Sequence, residues 1–312
     1  MHTVYLDRKH ASIEVQGDSM RVKPAPRGCG NIPLKLVARL VLLGEIQLTT
    51  STLARLTDAG VSVVCLSGRG HRRVAQLCGP PGKDVERRLL QFQAAANPIL
   101  STALARELVA GKLAACGREL HEAEARRPAR RRPLLAARRT LAALQEDIPG
   151  ANLVSLRGLE GAGAAAWFRA LATLFPASAG FNGRSRRPPR DPANAILSLC
   201  YTLLHAEAVA VCHAQGLDPM LGFLHEPLHG RESLACDLIE PLRPRIDGCV
   251  VKLFATRLVK AEHFSNGAAG CRLRKNGRQH FWPWWEETAP PFRRYLRTRG
   301  HELIRTLRAH QP

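Results

Sequence analysis

QLCGPPGKDVERRLL, from Gln76 to Leu90, is the stretch on which the fold turns. Gly79-Pro80-Pro81-Gly82 sets two residues that lack a backbone N–H between two that carry no side chain, which ends a regular element on either side. Upstream, short apolar runs alternate with turn residues. Thr3–Leu6, Ser12–Val15 and Met20–Val22, separated by Asp7–Lys9 and Gly17-Asp18, read as strands of a small antiparallel sheet, and Val61–Leu66 and Val74–Leu77 as two more strands. Thr49–Asp58 has helical spacing, with Thr50 or Ser51 as cap and Gly60 as stop, whereas Leu34–Leu43 fits helix or strand equally. Downstream the period changes to that of helices, over Asp84–Ala96, Ile99–Cys116, Leu134–Gln145, Leu153–Phe175, Ala193–Gln215, Ser233–Glu240 and Pro291–Ala309. The expected fold is α+β: a small β-rich N-terminal domain over 1–82, with antiparallel strands plus a helix, then a larger all-α domain over 83–312.

A chain of 312 residues, 45% of them hydrophobic, can bury the cores of two such domains. Its 46 Lys and Arg against 26 Asp and Glu give +20 and a pI near 10.6, as expected of a protein that works against phosphate. A uniform excess of arginine would spread evenly, yet Pro241–Pro312 holds 15 basic and 5 acidic residues. Two arginine- and proline-bearing segments, Arg126–Pro133 and Arg184–Arg190, read as solvated loops that can close on a nucleic-acid backbone. The nine cysteines (29, 65, 78, 116, 200, 212, 236, 249, 271) are odd in number, scattered and never in C-x-x-C, which excludes a disulfide framework and a structural zinc module. The N-terminus MHTVYLDRKH lacks an apolar signal core, and no uninterrupted apolar run approaches the roughly 18 residues of a membrane span. A cytoplasmic protein is expected.

Chemistry concentrates in LGFLHEPLHGRESLACDLIE, Leu221–Glu240. Its His225-Glu226-Pro227-Leu228-His229 matches the zinc-peptidase pattern H-E-x-x-H, which works only on a continuous helix where both imidazoles share a face. Pro227 forbids that helix, and Gly216, Pro219, Gly222 and Gly230 surround it with loop formers, so the peptidase reading is set aside. A second constellation joins His225 to one acid of Asp237-Leu238-Ile239-Glu240, which share a helix face at i and i+3, and to Glu160, which Gly158 and Gly161 leave open to a large substrate. Two carboxylates and one imidazole suit Mg²⁺ or Mn²⁺, and such an ion polarises a phosphodiester. Asn194, Ser198 and Tyr201 form a polar stripe on an apolar helix, either a buried hydrogen-bond network or a pocket wall. Phe281-Trp282-Pro283-Trp284-Trp285 beside Arg272, Arg274, Lys275 and Arg278 fits a core cluster or a base-stacking platform.

Four stretches, LRGLEG at 156–161, DPANAILSLCYTLL at 191–204, GLDPMLGFLHE at 216–226 and SLACDLIEPLRP at 233–244, resemble the CRISPR-associated integrase/endonuclease of the spacer-acquisition step. The Tyr5-Leu6 opening and the Gly60–Leu66 strand resemble that family's β domain, so the likeness covers nearly the whole chain. It implies a metal-dependent enzyme that inserts spacer DNA into a CRISPR array by in-line attack of a 3′-hydroxyl on a phosphodiester, with related nuclease activity on branched or double-stranded DNA. It selects Glu160, His225 and Glu240 as catalytic metal ligands, with Asp237, Asn194 and Tyr201 supporting them. It further implies that 1–82 serves dimerisation and DNA contact, that 83–312 is catalytic, and that the homodimer assembles with a small ferredoxin-like adaptor protein. Arg231, Arg184, Arg186 and Arg187 are candidate DNA contacts on charge and proximity. Pro241, directly after Glu240, departs from the family pattern and predicts a kink or a new cap just past that ligand. A non-catalytic DNA-binding scaffold would share the charge and differ only in having an inert site.

Overall fold

The computed structural model describes residues 2–8, 10–23, 31–68, 71–80, 82–268 and 270–310; Lys9 of the first expected turn, Cys29 and Pro81 lie outside them. The N-terminal part runs β1 (His2–Leu6), β2 (Ala11–Gln16), β3 (Ser19–Lys23), β4 (Ile32–Pro33), β5 (Val37–Leu43), β6 (Ile46–Leu48), α1 (Thr50–Asp58), β7 (Ser62–Leu66) and β8 (Arg73–Leu77). The ambiguous Leu34–Leu43 splits into a 3₁₀ turn, Leu34–Leu36, and strand β5. Thr49 caps α1 by accepting from the Thr52 N–H, one residue before the expected cap, and Gly60 at φ +71 carries the chain out of it.

The single antiparallel sheet expected from the spacing is replaced by two four-stranded sheets, ordered β1-β5-β7-β8 and β4-β3-β2-β6. β2 and β3 do form an antiparallel hairpin around Gly17-Asp18, but β1 with β5, β5 with β7 and β2 with β6 pair in parallel. Parallel neighbours need a crossover, and α1 lies in the one that joins β5 to β7. Leu40 and Leu42 of β5 pack with Ile13, Met20 and Leu56 between the sheets, while Val41 and Leu43, with Val64 and Leu66 of β7, join the core of the helical half. The central strands β5 and β7 of the first sheet are therefore buried on both faces, which explains why they are nearly continuous apolar runs.

The helical half comprises α2 (Val85–Ala96), α3 (Pro98–Arg126), α4 (Arg131–Glu146), α5 (Leu153–Ala172), α6 (Pro192–Gln215), α7 (Ser233–Ile239), α8 (Arg243–Ala255), a hairpin of β9 (Phe264–Gly267) and β10 (Gly270–Leu273), then α9 (Lys275–Thr288) and α10 (Pro290–Ala309). The hairpin is an addition to the all-α expectation for this half. α6 is long and apolar enough to cross a membrane by length and composition, but here it is a core helix, with Ile196, Leu197, Leu199, Cys200, Leu203 and Leu204 all buried. Arg126–Pro133 is not a loop: α3 runs to Arg126, Pro128–Arg130 make a 3₁₀ turn, and Pro133 sits in the first turn of α4, where a missing N–H costs nothing. Its arginines still face solvent apart from Arg127, which donates to the Leu174 carbonyl at 2.8 Å.

The two halves are bolted together by residues far apart in sequence. Trp282 stacks on Tyr5 with ring centroids 4.5 Å apart, and the Tyr5 hydroxyl donates to Glu286. Glu207 of α6 takes both Arg39 of β5 and Arg293 of α10, and Arg278 pairs with Asp7 at 2.7 Å. Phe281 and Trp285 are buried in the helical core. The aromatic cluster is thus core and domain contact, not a platform for bases, and several of the basic residues of the C-terminal region are spent on internal ion pairs.

Candidate active site

Three elements converge on the pair Glu160 and Glu240. Asn152 caps α5 by accepting from the Ser155 N–H at 2.9 Å, which starts the helix two turns ahead of Glu160. Gly158 and Gly161 have open space where a Cβ would stand, whereas a Cβ at Gly163 would collide with Leu113, so α5 and α3 approach closely one turn beyond Glu160. On the other side α7 ends at Ile239, Glu240–Leu242 form a 3₁₀ turn, and α8 starts at Arg243. Pro241 lies inside that turn, so the predicted break just past the ligand is present.

Glu240 is 4% exposed and holds two cations. Its Oε1 pairs with Arg243 Nε at 2.9 Å, and its Oε2 accepts from Lys112 Nζ at 2.6 Å; the same ammonium donates to Glu160. Burial alone would favour the neutral acid, but Arg243 and Lys112, helped by His225, overcome it and hold the Glu240 carboxyl at about 2. Burial likewise opposes the Lys112 charge, and the two glutamates outweigh it, pushing the ammonium up.

His225 reaches the site from the loop between α6 and α7, and Asp237 holds that loop. The fully buried Asp237 carboxylate accepts from the backbone N–H groups of Phe223 at 2.6 Å, Leu224 at 3.0 Å and His225 at 3.2 Å, and pairs with His225 Nδ1 at 2.6 Å. A Cβ on Gly222 would stand 2.6 Å from Asp237 Oδ2, so only glycine lets the loop come this close. With Nδ1 committed to a carboxylate, the imidazole keeps Nε2 for a ligand, the arrangement that metal-binding histidines adopt. Asp237 and Glu240 share the helix face as expected, and the structure separates their roles: Asp237 turns to the loop and Glu240 to Lys112.

The other predicted residues fall into two groups. Tyr201 is buried, donates to Asp247 at 2.5 Å, and is covered by the Arg243 guanidinium 4.6 Å from its ring centre, so it touches Glu240's partner. Asn194 is farther out: its amide oxygen accepts from Arg184 and from the Ser185 N–H, and its amide nitrogen donates to Asp191. Ser198 also accepts from Arg184, so the polar stripe is a hydrogen-bond network. Arg184 also lies over the Tyr201 ring, 5.3 Å from its centre, which makes it an internal strut, while Arg186 and Arg187 are exposed. Arg231 closes its own loop by donating to the Glu226 carbonyl. Residues 221–232 contain no helix; Glu226 pairs with Arg157 and His229 is exposed, so the H-E-x-x-H letters form no zinc face.

Lys112, Arg243 and Asp247 escaped the sequence reading. Lys112 had a signal: Ala105, Leu108, Val109 and Cys116 are the buried stripe of α3, and Lys112 stands on that stripe. Asp247 accepts from both Tyr201 and Trp167, and burial pushes its carboxyl up to about 6 against the pull of those bonds and of Arg184 and Arg243.

Among the described residues no group of three or more His, Cys, Asp and Glu side chains is arranged to hold a metal ion. The donor chemistry nevertheless fits one. Carboxylate oxygens of Glu160 and Glu240 meet around a single point charge, the ammonium of Lys112, and the His225 imidazole, held by Asp237 through Nδ1, lies near enough to act on the Glu240 carboxyl.

The chain matches the family model described as CRISPR associated protein Cas1 over residues 4–287. CRISPR-associated endonuclease Cas1 1 of Thermodesulfovibrio yellowstonii is 36% identical over 299 residues, covering 92% of this chain and 91% of that protein. In fold the chain is similar to a CAS1 protein from Thermotoga maritima, with a TM-score of 0.86 at 22% identity over 100% of this chain and 98% of the other. It is similar also to a casposase bound to integration product, TM-score 0.84 at 21% identity over 100% and 92%. A chain of a Cas6-RT-Cas1–Cas2 complex aligns at TM-score 0.83 and 22% identity, over 99% of this chain and 35% of that one. A family match spanning nearly all of the sequence, and a relative of that identity across nine-tenths of both proteins, lead to one conclusion: the chain belongs to the CRISPR associated protein Cas1 family.

Proposed function

We propose that this protein is a Mg²⁺- or Mn²⁺-dependent DNA integrase and endonuclease that joins the 3′-hydroxyl of a spacer strand to a CRISPR repeat. The observation that carries the reading is the meeting of Glu160 and Glu240, 80 positions apart, around one positive charge beside a histidine oriented by a buried aspartate. Glu160, Glu240 and His225 Nε2 are the groups that would hold the ion, which when bound supplies electrophilic polarisation of the phosphodiester and charge stabilisation. The chain's own residues prepare for this. Arg243 fixes the Glu240 carboxylate and keeps it ionised, Asp237 sets the imidazole tautomer, and the open glycines at 158 and 161 give a duplex access to Glu160.

DNA is the proposed polyanion, met by the +20 charge and by exposed arginines such as Arg186 and Arg187, with the half-buried Arg231 near the site as a further candidate. The casposase bound to integration product and the Cas6-RT-Cas1–Cas2 complex, whose folds this chain shares, support a nucleic-acid substrate and assembly with a second protein, and a homodimer joined to a small ferredoxin-like adaptor is the assembly proposed with them. In a strand-transfer assay on branched DNA, Glu160→Ala, His225→Ala and Glu240→Ala are each expected to lose at least about a hundredfold in rate while DNA binding persists, as is the parent after chelation. Unchanged transfer in all three would leave a DNA-binding scaffold in place of an enzyme.

A further inference from the structure

Lys112 is a buried cation at the centre of the site and is not among the residues that the family likeness selects. It stands on the inward stripe of α3, with its side chain 9% exposed, flanked by contacts on both sides. Gly111 lies against the Pro241 ring, where a Cβ would be 3.6 Å from Cγ, and Leu113 fills the notch left by Gly163. The ammonium is thereby committed to the gap between Glu160 and Glu240.

The charge count gives this position a meaning. Glu160 and Glu240 carry two negative charges, and Lys112 and Arg243 already neutralise them. With the buried Asp237 and Asp247 and the nearby Arg184 included, four formal negative charges face three positive ones, so a divalent ion added beside both Lys112 and Arg243 would still leave an excess of positive charge, which is costly. Arg243 is pinned by the Tyr201 ring and has no slack, whereas Lys112 has a flexible four-carbon stem. One of the two cations can leave, and it is the lysine.

We propose that Lys112 is a resident counter-cation that holds the metal position and the two glutamates in the metal-free protein, and that a divalent ion binds by displacing its ammonium. This rests on the metal-dependent function proposed above and adds a residue that sets how tightly the ion is held. Glu160 and Glu240 then stay together without an ion, and metal affinity is lower than three ligands would give alone.

The test is Mn²⁺ binding to the full-length, DNA-free protein, read from the electron paramagnetic resonance signal of free Mn²⁺, with melting temperature as a second readout. Lys112→Met removes the charge, and Lys112→Gln removes it while keeping an N–H donor, which guards against a variant that fails to fold. Both are expected to bind Mn²⁺ at least about tenfold more tightly than the parent, a change of about 1.4 kcal/mol. Without metal both should melt below the parent, and Mn²⁺ should raise their melting temperature more than it raises the parent's. A purely structural lysine predicts the opposite sign, weaker binding in a loosened site. Equal or weaker binding by Lys112→Gln, with parent binding abolished by Glu240→Gln, overturns the exchange and leaves the metal site standing. Absence of any Glu240-dependent Mn²⁺ binding in parent and variants removes the site itself, and both readings with it.

Discussion

Replacing Asp237 with alanine should damage stability and chemistry together, because one buried carboxylate serves three backbone N–H groups and one imidazole. The N–H groups of Phe223, Leu224 and His225 are left without a partner in a region where Phe223 and Leu224 are themselves buried. Each unmet buried donor costs about 1–3 kcal/mol. Some relief comes from loop movement, so about 4 kcal/mol is the expected total, near the low end of three such penalties. At about 2 °C per kcal/mol for a chain of this length, the melting temperature should fall by about 8 °C. Asp237→Asn keeps one acceptor oxygen and the volume, and should lose about half as much. The chemistry responds separately: without the Nδ1 partner, His225 loses its fixed orientation, and Mn²⁺ affinity and strand transfer should fall by about 10–100-fold even at a temperature where the variant is folded. Differential scanning calorimetry and a strand-transfer assay measure the two effects. A melting temperature within about 2 °C of the parent, together with unchanged transfer, would refute the claim that the loop hangs on this carboxylate.

The remaining predictions concern charge. If roughly 6–10 phosphates are neutralised on binding, affinity for duplex DNA should drop about 10³–10⁵-fold between 50 and 200 mM salt, and a flat response in fluorescence anisotropy would speak against a phosphate-tracking surface. Asp247 sets a pH dependence of stability with a definite sign. Its carboxyl is raised from 3.8 to about 6, so its contribution is fully present below pH 4 and is lost as pH rises through 6. About two units correspond to roughly 3 kcal/mol, so unfolding free energy should fall with that extra slope between pH 4 and 6. Asp247→Asn should abolish this component, and an identical pH slope in parent and variant in urea titrations would show that the shift is absent.

What the sequence made legible follows from how locally each feature is encoded. His225, Asp237 and Glu240 lie within sixteen residues of one another, so loop formers, helix spacing and residue type were enough to place two of them on one helix face and the third in the loop before it. Strand partners are not encoded that way. Period two says that Val41 and Leu42 face opposite sides, but not that β5 has β1 and β7 as parallel neighbours, which is decided by the crossover through α1. Arginine was misjudged for a related reason. Composition shows Arg184 as one of a solvated cluster, whereas its guanidinium bonds Asn194 and Ser198 and covers Tyr201, contacts that exist only once α6 is in place. The same holds for the tryptophans, whose partner Tyr5 comes from the first strand.

Pro241, expected from the sequence to kink or re-cap the chain just past Glu240, lies in the 3₁₀ turn that links the site's two helices. Having no N–H, it cannot extend α7 past Ile239, and the chain takes a 3₁₀ turn before α8 begins. A 3₁₀ turn has three residues per turn, so side chains at i and i+3 eclipse, and here those are Glu240 and Arg243. In a continuous α-helix the two would be offset by about 60° around the axis, since three steps of a 3.6-residue turn fall short of a full circle. The observed 2.9 Å pair spans this turn and, together with Lys112, helps to hold Glu240 anionic. The proline ring also lies over Gly111, the neighbour of Lys112, at a distance that would leave ordinary van der Waals contact for a Cβ there. The backbone interruption at Pro241 thus lies directly beside the carboxylate that both cations share.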